Sequence, residues 1–169
     1  DSSTLVVALC KGNLGCAGTF QAWNLKTKEK TELGKCNGTV FKINFSADGS
    51  RLAAVTSYSS IVATLALERK KWLGGELIVL DLKSGAKPFN LAWEAANVPL
   101  DLDPEEITTR YYAAIETHMP HQVILNHDGS KLMTVMKDGG VSVFDVETGK
   151  RDFAAKTIAV QADAAKQIP

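Results

Sequence analysis

The 169-residue sequence has no excess of charge of either sign, because nineteen basic and nineteen acidic side chains cancel. No global field therefore draws the chain to nucleic acid, to an anionic membrane or to a polycationic partner. Aromatic residues make up only 7% of the chain, too few for the interleaved basic and aromatic surface that stacks single-stranded bases. No uninterrupted apolar run nears the roughly 20 residues that a bilayer-spanning helix needs. Three cysteines, Cys10, Cys16 and Cys36, are too few for a disulfide scaffold. They read as small buried apolar residues, with a Cys10–Cys16 bridge as the alternative, and lean towards a reducing, cytoplasmic compartment. The opening DSSTLVVALC lacks a basic segment and does not begin with Met. No intact secretion signal is expected there, and Asp1 reads as a processed or cut end.

Signatures of catalysis are missing too. There is no serine nucleophile elbow, P-loop, dinucleotide fingerprint or Cys-x-x-Cys. KGNLGCAG (Lys11 to Gly18) lacks the Gly-Lys-Ser/Thr end of a phosphate cradle and reads as a turn between strands. His118 and His121, with Glu116 close by, have a spacing that one helical face can present to a metal. Pro120 interrupts that face and no further ligand follows, so no metal and no cofactor is expected. The acidic run from Asp101 to Glu106 lacks the glycine-centred frame of a calcium loop and suits a helix start.

What is present is repetition. NFSADGSRLAAVTS (Asn44 to Ser57) is echoed by ILNHDGSKLMTVM (Ile124 to Met136). A second pattern recurs in TFQAWNLKTKE, ELIVLDLKSGA and GVSVFDVETGK, each an alternating strand followed by Asn or Asp and a polar turn. Alternation at period two marks strands with a buried face. Asp48, Asp128 and Asp138 sit in Asp-Gly turns, where a carboxylate bonds the local backbone, and His127 is a turn residue. The two patterns interlock into four-stranded meanders of about 40 residues. The units run at about 3–36, 38–95 and 121–160 of one domain spanning 1–169, and the first lacks its opening strand.

Meanders of this period, with DGS or DGG turns and Trp23-Asn24, Leu80-Asp81 and Phe144-Asp145 endings, resemble WD40-like or YVTN-type β-propeller repeats. The Gly-His dipeptide of WD40 repeats is absent, so their side-chain network is not expected. The resemblance implies an all-β fold of propeller blades. Closed propellers need about four to eight blades, and three imply a partial propeller. The chain is then a piece of a larger ring, or copies or partner chains supply further blades, and an assembly is expected rather than an isolated monomer.

Two insertions distinguish the chain from a plain repeat. Gly49 to Asp81 spans 32 positions where Gly129 to Asp145 spans 16. The extra segment, SSIVATLALERKKWLG, reads as an extended hairpin or short helix. Its Glu68-Arg69-Lys70-Lys71 cluster is solvated surface or, with Trp72, a contact tip, since Arg and Trp dominate binding hot spots. The second insertion reads as a helix over about 103–117, with Asp103 as cap, Pro104 in the first turn, and Ile107, Tyr111 and Ile115 on one face. Arg69, Lys70, Trp72, Tyr111 and Tyr112 are the expected partner-binding residues of a non-catalytic interaction module. The rivals are a purely structural subunit, or part of a quinoprotein-type dehydrogenase or hydrolase whose active site lies in other blades.

Overall fold

The computed structural model describes residues 3–10, 17–57, 74–87, 89–94, 106, 109, 113 and 116–156. Eleven strands form three antiparallel sheets. The first sheet holds β1 (Thr4–Cys10), β2 (Ala17–Asn24) and β3 (Lys30–Asn37). The middle sheet holds β4 (Thr39–Phe45), β5 (Arg51–Ser57), β6 (Gly74–Asp81) and β7 (Phe89–Glu94). The third holds β8 (Gln122–Leu125), β9 (Lys131–Val135), β10 (Gly140–Asp145) and β11 (Arg151–Lys156). Each sheet is a meander in which chain neighbours pair, as the turn spacing requires. Between the second and third sheets Glu106, Thr109, Ala113 and residues 116–118 are helical. The proposed cap at Asp103 and the first insertion up to Leu73 lie outside the described residues.

The turns show how closely the units repeat. Asn24 and Asp81 each accept, on one side-chain oxygen, the amides two and three positions ahead, and Asp145 accepts the amide three ahead. The fifth residue of each turn closes a backbone bond and takes a left-handed conformation: Lys28 (φ 62°), Gly85 (φ 69°) and Gly149 (φ 68°). Glycine takes that conformation without a Cβ clash, whereas Lys28 holds it against a local steric cost. A further equivalence follows from the backbone. Leu25, Leu82 and Val146 donate their amides to the carbonyls of Ser3, Ser50 and Ser130 respectively. The three serines therefore hold one repeat position, and β1 corresponds to β5 and β9, the second strands of their sheets.

The middle sheet is covered on both faces. Leu52 and Ala54 of β5, with Ile78 and Leu80 of β6, join Phe20, Leu33 and Cys36 in one core against the first sheet. The intervening residues Ala53, Val55, Leu77 and Val79 join Phe89, Val123, Leu125 and Leu132 in a second core against the third sheet. Alternation of side chains across a strand sends neighbours to opposite faces. This is why LAAV and LIVL are continuous apolar runs, while β9 alternates between buried and half-buried positions.

Candidate interaction surface

The sites expected from sequence fall where the structure is silent. Arg69, Lys70 and Trp72 of the first insertion, and Tyr111 and Tyr112 of the second, lie outside the described residues. His118 ends the helical segment, and His121 donates its amide to the Val135 carbonyl at 2.7 Å. Glu116 is held by the Lys137 ammonium at 2.5 Å, which lowers its carboxyl from the ordinary value. Among the described residues, no three His, Cys, Asp or Glu side chains gather as metal ligands.

The turn carboxylates are engaged locally. Asp48 accepts from the Ser46 and Ser50 hydroxyls and the Ser50 amide, and these bonds bring its carboxyl down to about 2. Asp145 is held well below the usual carboxylate range, first by the Lys131 ammonium at 2.9 Å and then by Thr148. Asp128 and Asp81 are lowered by the corresponding bonds from Ser130 and Ser84. Such groups stay ionised and occupied at neutral pH, which makes them poor proton carriers.

A pH dependence follows with a definite sign. A carboxyl depressed in the folded chain contributes stability above its unfolded value, 3.8 for Asp48, and loses it as pH falls towards the folded value. Urea midpoints are expected to hold from about pH 6 to about pH 4 and then to drop as pH approaches about 2. Asp145→Asn should shrink that acid loss. An acid profile identical to that of the parent would show that the Asp145 bonds do not favour its charged form.

Side chains stitch the second and third sheets together along their first strands. The Asn44 side-chain oxygen accepts the Leu125 amide at 3.1 Å, and the Lys42 ammonium reaches the His121 carbonyl. At the adjoining turns the Asp48 amide donates to the His127 carbonyl at 3.0 Å. Arg51 donates to the Gly129 carbonyl and pairs with Glu147. The twin DGS turns of the sequence are thus neighbours in space.

The first strand of the middle sheet also carries a row that sequence reasoning did not single out. Phe41, Ile43 and Phe45 are all exposed, and the pairing register shifts between Val40 and Lys42, so that Phe41 stands out as a bulge. Ile43 and Phe45 lie opposite Ala54 and Leu52, which face the first sheet. Their equivalents in the third sheet, 80 positions on, are Val123 and Leu125. That pair is 6% exposed at each position, whereas Ile43 and Phe45 are 45% and 42% exposed. The difference lies in the preceding sheet. β8 rests on β4 and β5, but the first sheet has no strand at the place of β4 among the described residues. An open groove of about 380 Å³ runs there between β1 and β4, lined by Ala8, Leu9, Gly18, Val40, Phe41 and Ile43. The signal in sequence was the 80-residue echo, which aligns Ile43 and Phe45 with Val123 and Leu125.

Comparison of the sequence with known families and with curated proteins gives no match. Solved structures are similar in fold. An uncharacterised protein from Listeria monocytogenes matches with a TM-score of 0.55 at 10% identity, over 92% of this chain and 39% of that one. The β-propeller domain of the Trilobed protease from Pyrococcus furiosus, described as having an open velcro topology, matches at 0.53 and 16% identity, over 94% and 41%. The tricorn protease matches at 0.56 and 12% identity, over 94% and 12%. The chain spans less than half the length of each. Three successive antiparallel meanders, packed face to face and similar to those structures, establish that the chain is built of β-propeller blades.

Proposed function

We propose that the chain is a non-catalytic protein–protein interaction module, its blades serving as a rigid platform. The observation that supports this is the exposed row of Phe41, Ile43 and Phe45 on the first strand of the middle sheet. Contiguous exposed apolar surface on a folded domain marks a contact face. In this reading Arg69, Lys70 and Trp72 of the first insertion, and Tyr111 and Tyr112 of the second, supply individual contacts beyond the platform. Affinity capture followed by mass spectrometry tests the reading, with the chain compared against Phe41→Ser/Phe45→Glu and Trp72→Ala/Tyr111→Ala variants. Defined partners should be retained by the parent and lost from at least one variant that still folds. Equal recovery on all three would overturn it.

A second reading has one observation in its favour. Two of the similar structures are proteases, one of them represented by its propeller domain. On that reading these blades belong to a hydrolase whose active site lies in other parts of the protein. Peptidase activity that copurifies with the full-length protein, and is absent from the isolated chain, would support it over the scaffold reading.

A further inference from the structure

We propose that Asn37 is a deamidation site whose reaction, once the joint between the first and middle sheets has opened, keeps that joint from closing again. Of the asparagines in the chain, Asn37 alone precedes glycine; the others precede Leu, Phe, Val or His. Glycine leaves its own amide nitrogen unshielded, because no Cβ stands beside the line of approach to the preceding side chain. The Gly38 nitrogen attacks Asn37 Cγ, and a cyclic succinimide forms as the Cγ–Nδ2 bond breaks. Nδ2 leaves as ammonia, taking the proton that Gly38 gives up. Water then adds to one of the two ring carbonyls. The ring opens to aspartate, or to isoaspartate, in which the main chain runs through Cγ.

The position gives the reaction its consequence. β3 ends at Asn37 and β4 begins at Thr39, so Gly38 is the single residue that joins the first sheet to the middle one. It takes φ 86° and is buried. Gly18 packs so closely there that a Cβ on it would fall 2.5 Å from Cys36 Sγ and 3.3 Å from the Gly38 carbonyl oxygen. Asn37 is exposed, yet its donors are engaged across the joint. Its side-chain amide donates to Glu76 Oε1 at 2.9 Å, and its backbone amide donates to Oε2 at 3.2 Å. Glu76 is only 7% exposed. Both bonds therefore form largely out of water, where a charged acceptor binds its donors most strongly.

While the joint is closed, this arrangement holds the reaction back. The Glu76 carboxylate fixes Nδ2 as a donor, which makes Cγ a poorer electrophile and ammonia a poorer leaving group. The packing of Gly18 keeps the Gly38 peptide from swinging onto the Asn37 side chain. Local opening of the first sheet removes both restraints at once. The product then no longer fits the place that Asn37 left. Aspartate has no Nδ2 donor, and it sets a second carboxylate against the buried Glu76 carboxylate, so the two like charges oppose reclosure. Isoaspartate also adds a main-chain carbon to a joint one residue long. The modification is a one-way catch, which turns a transient opening of the first sheet into a lasting one.

Peptide mapping by mass spectrometry reads the amide-to-acid mass gain at Asn37. Asp48, Asp128 and Asp138 also precede glycine, but their isomerisation leaves the mass unchanged. In mildly alkaline buffer the folded chain should gain that mass at least about 10-fold more slowly than the chain in urea, because only the open fraction reacts. Glu76→Gln replaces one acceptor oxygen with a donor, and it should speed the reaction in the folded chain at least about 3-fold. The deamidated chain should exchange its amides faster than the parent across β1 to β3, with β9 and β10 unchanged. Asn37→Asp should lower the urea midpoint more than Asn37→Ala does, since Ala removes a bond whereas Asp adds a repulsion. Equal rates in the folded and unfolded chain, no acceleration by Glu76→Gln, or unaltered exchange after deamidation would each overturn the proposal. So would an Asn37→Asp midpoint at or above that of Asn37→Ala. If Glu76→Gln does not fold, the other three measurements decide.

Discussion

Gly75→Ala is expected to destabilise the fold by more than about 3 kcal/mol, the largest effect of any single methyl group added to the described sheets. Gly75 is the second residue of β6, and a Cβ built there falls inside the Thr56 carbonyl group and 2.8 Å from Trp93 Cε2. The neighbour is backbone, which cannot swing aside as a side-chain end can. The same Thr56 carbonyl accepts the Trp93 indole N–H at 3.1 Å, so displacing it also disturbs the tie to β7. The Thr56 hydroxyl meets the Glu76 amide at 3.1 Å, and the Glu76 carboxylate holds the Asn37 backbone and side-chain amides. One methyl group therefore presses on a chain of polar contacts that runs from the middle sheet to the first. Gly49→Ala is the control. Gly49 takes φ 70° but has nothing within 4 Å of its Cβ direction, so only the conformational cost of about 1 kcal/mol applies. Urea midpoints at unchanged m-value separate the two. Equal losses would show that β5 and β6 can part at this point without penalty.

Phe89→Ala is expected to cost about 3–5 kcal/mol. Phe89 starts β7, is fully buried, and packs in the core between the middle and third sheets. Its ring meets Phe144 of β10 edge-on, at 5.5 Å between centroids and 63° between planes. Phe144 is only partly buried, so Phe144→Ala should cost less. The double variant should lose less than the sum of the two by about 0.5–1.5 kcal/mol, the coupling of an aromatic pair. Strict additivity would mean that the rings contribute only through area. A loss at Phe89 below about 1 kcal/mol would mean that the third sheet can settle into the space left behind.

The strands and turns of this fold were legible because their signals are local. DGS at Asp48 and Asp128, with KSG and ETG after Asp81 and Asp145, mark each reversal, and each structural turn uses those side chains as hydrogen-bond acceptors. Exposure was not. TVFKINF reads like any strand facing a core, and nothing within those seven residues tells whether a neighbouring strand is present. Ile43 and Val123 are chemically alike and differ in burial because of what precedes their sheets. Lys28 is a second case. NLKTKE holds no glycine, yet the repeat imposes a left-handed residue there, because the meander fixes where the chain must turn. The contact residues expected in the insertions rest on side-chain type alone, because no repeat partner exists against which to compare them.

Burial of the middle sheet on both faces has a consequence for how the chain comes apart. Either outer sheet can detach while the other two remain paired, leaving a smaller but still layered body. The middle sheet has no such freedom, because its release strips the apolar face from both companions at once. Opening should therefore proceed inward from either flank, with β5 and β6 the last to yield. The chain behaves as a short linear array whose centre is its most cooperative element.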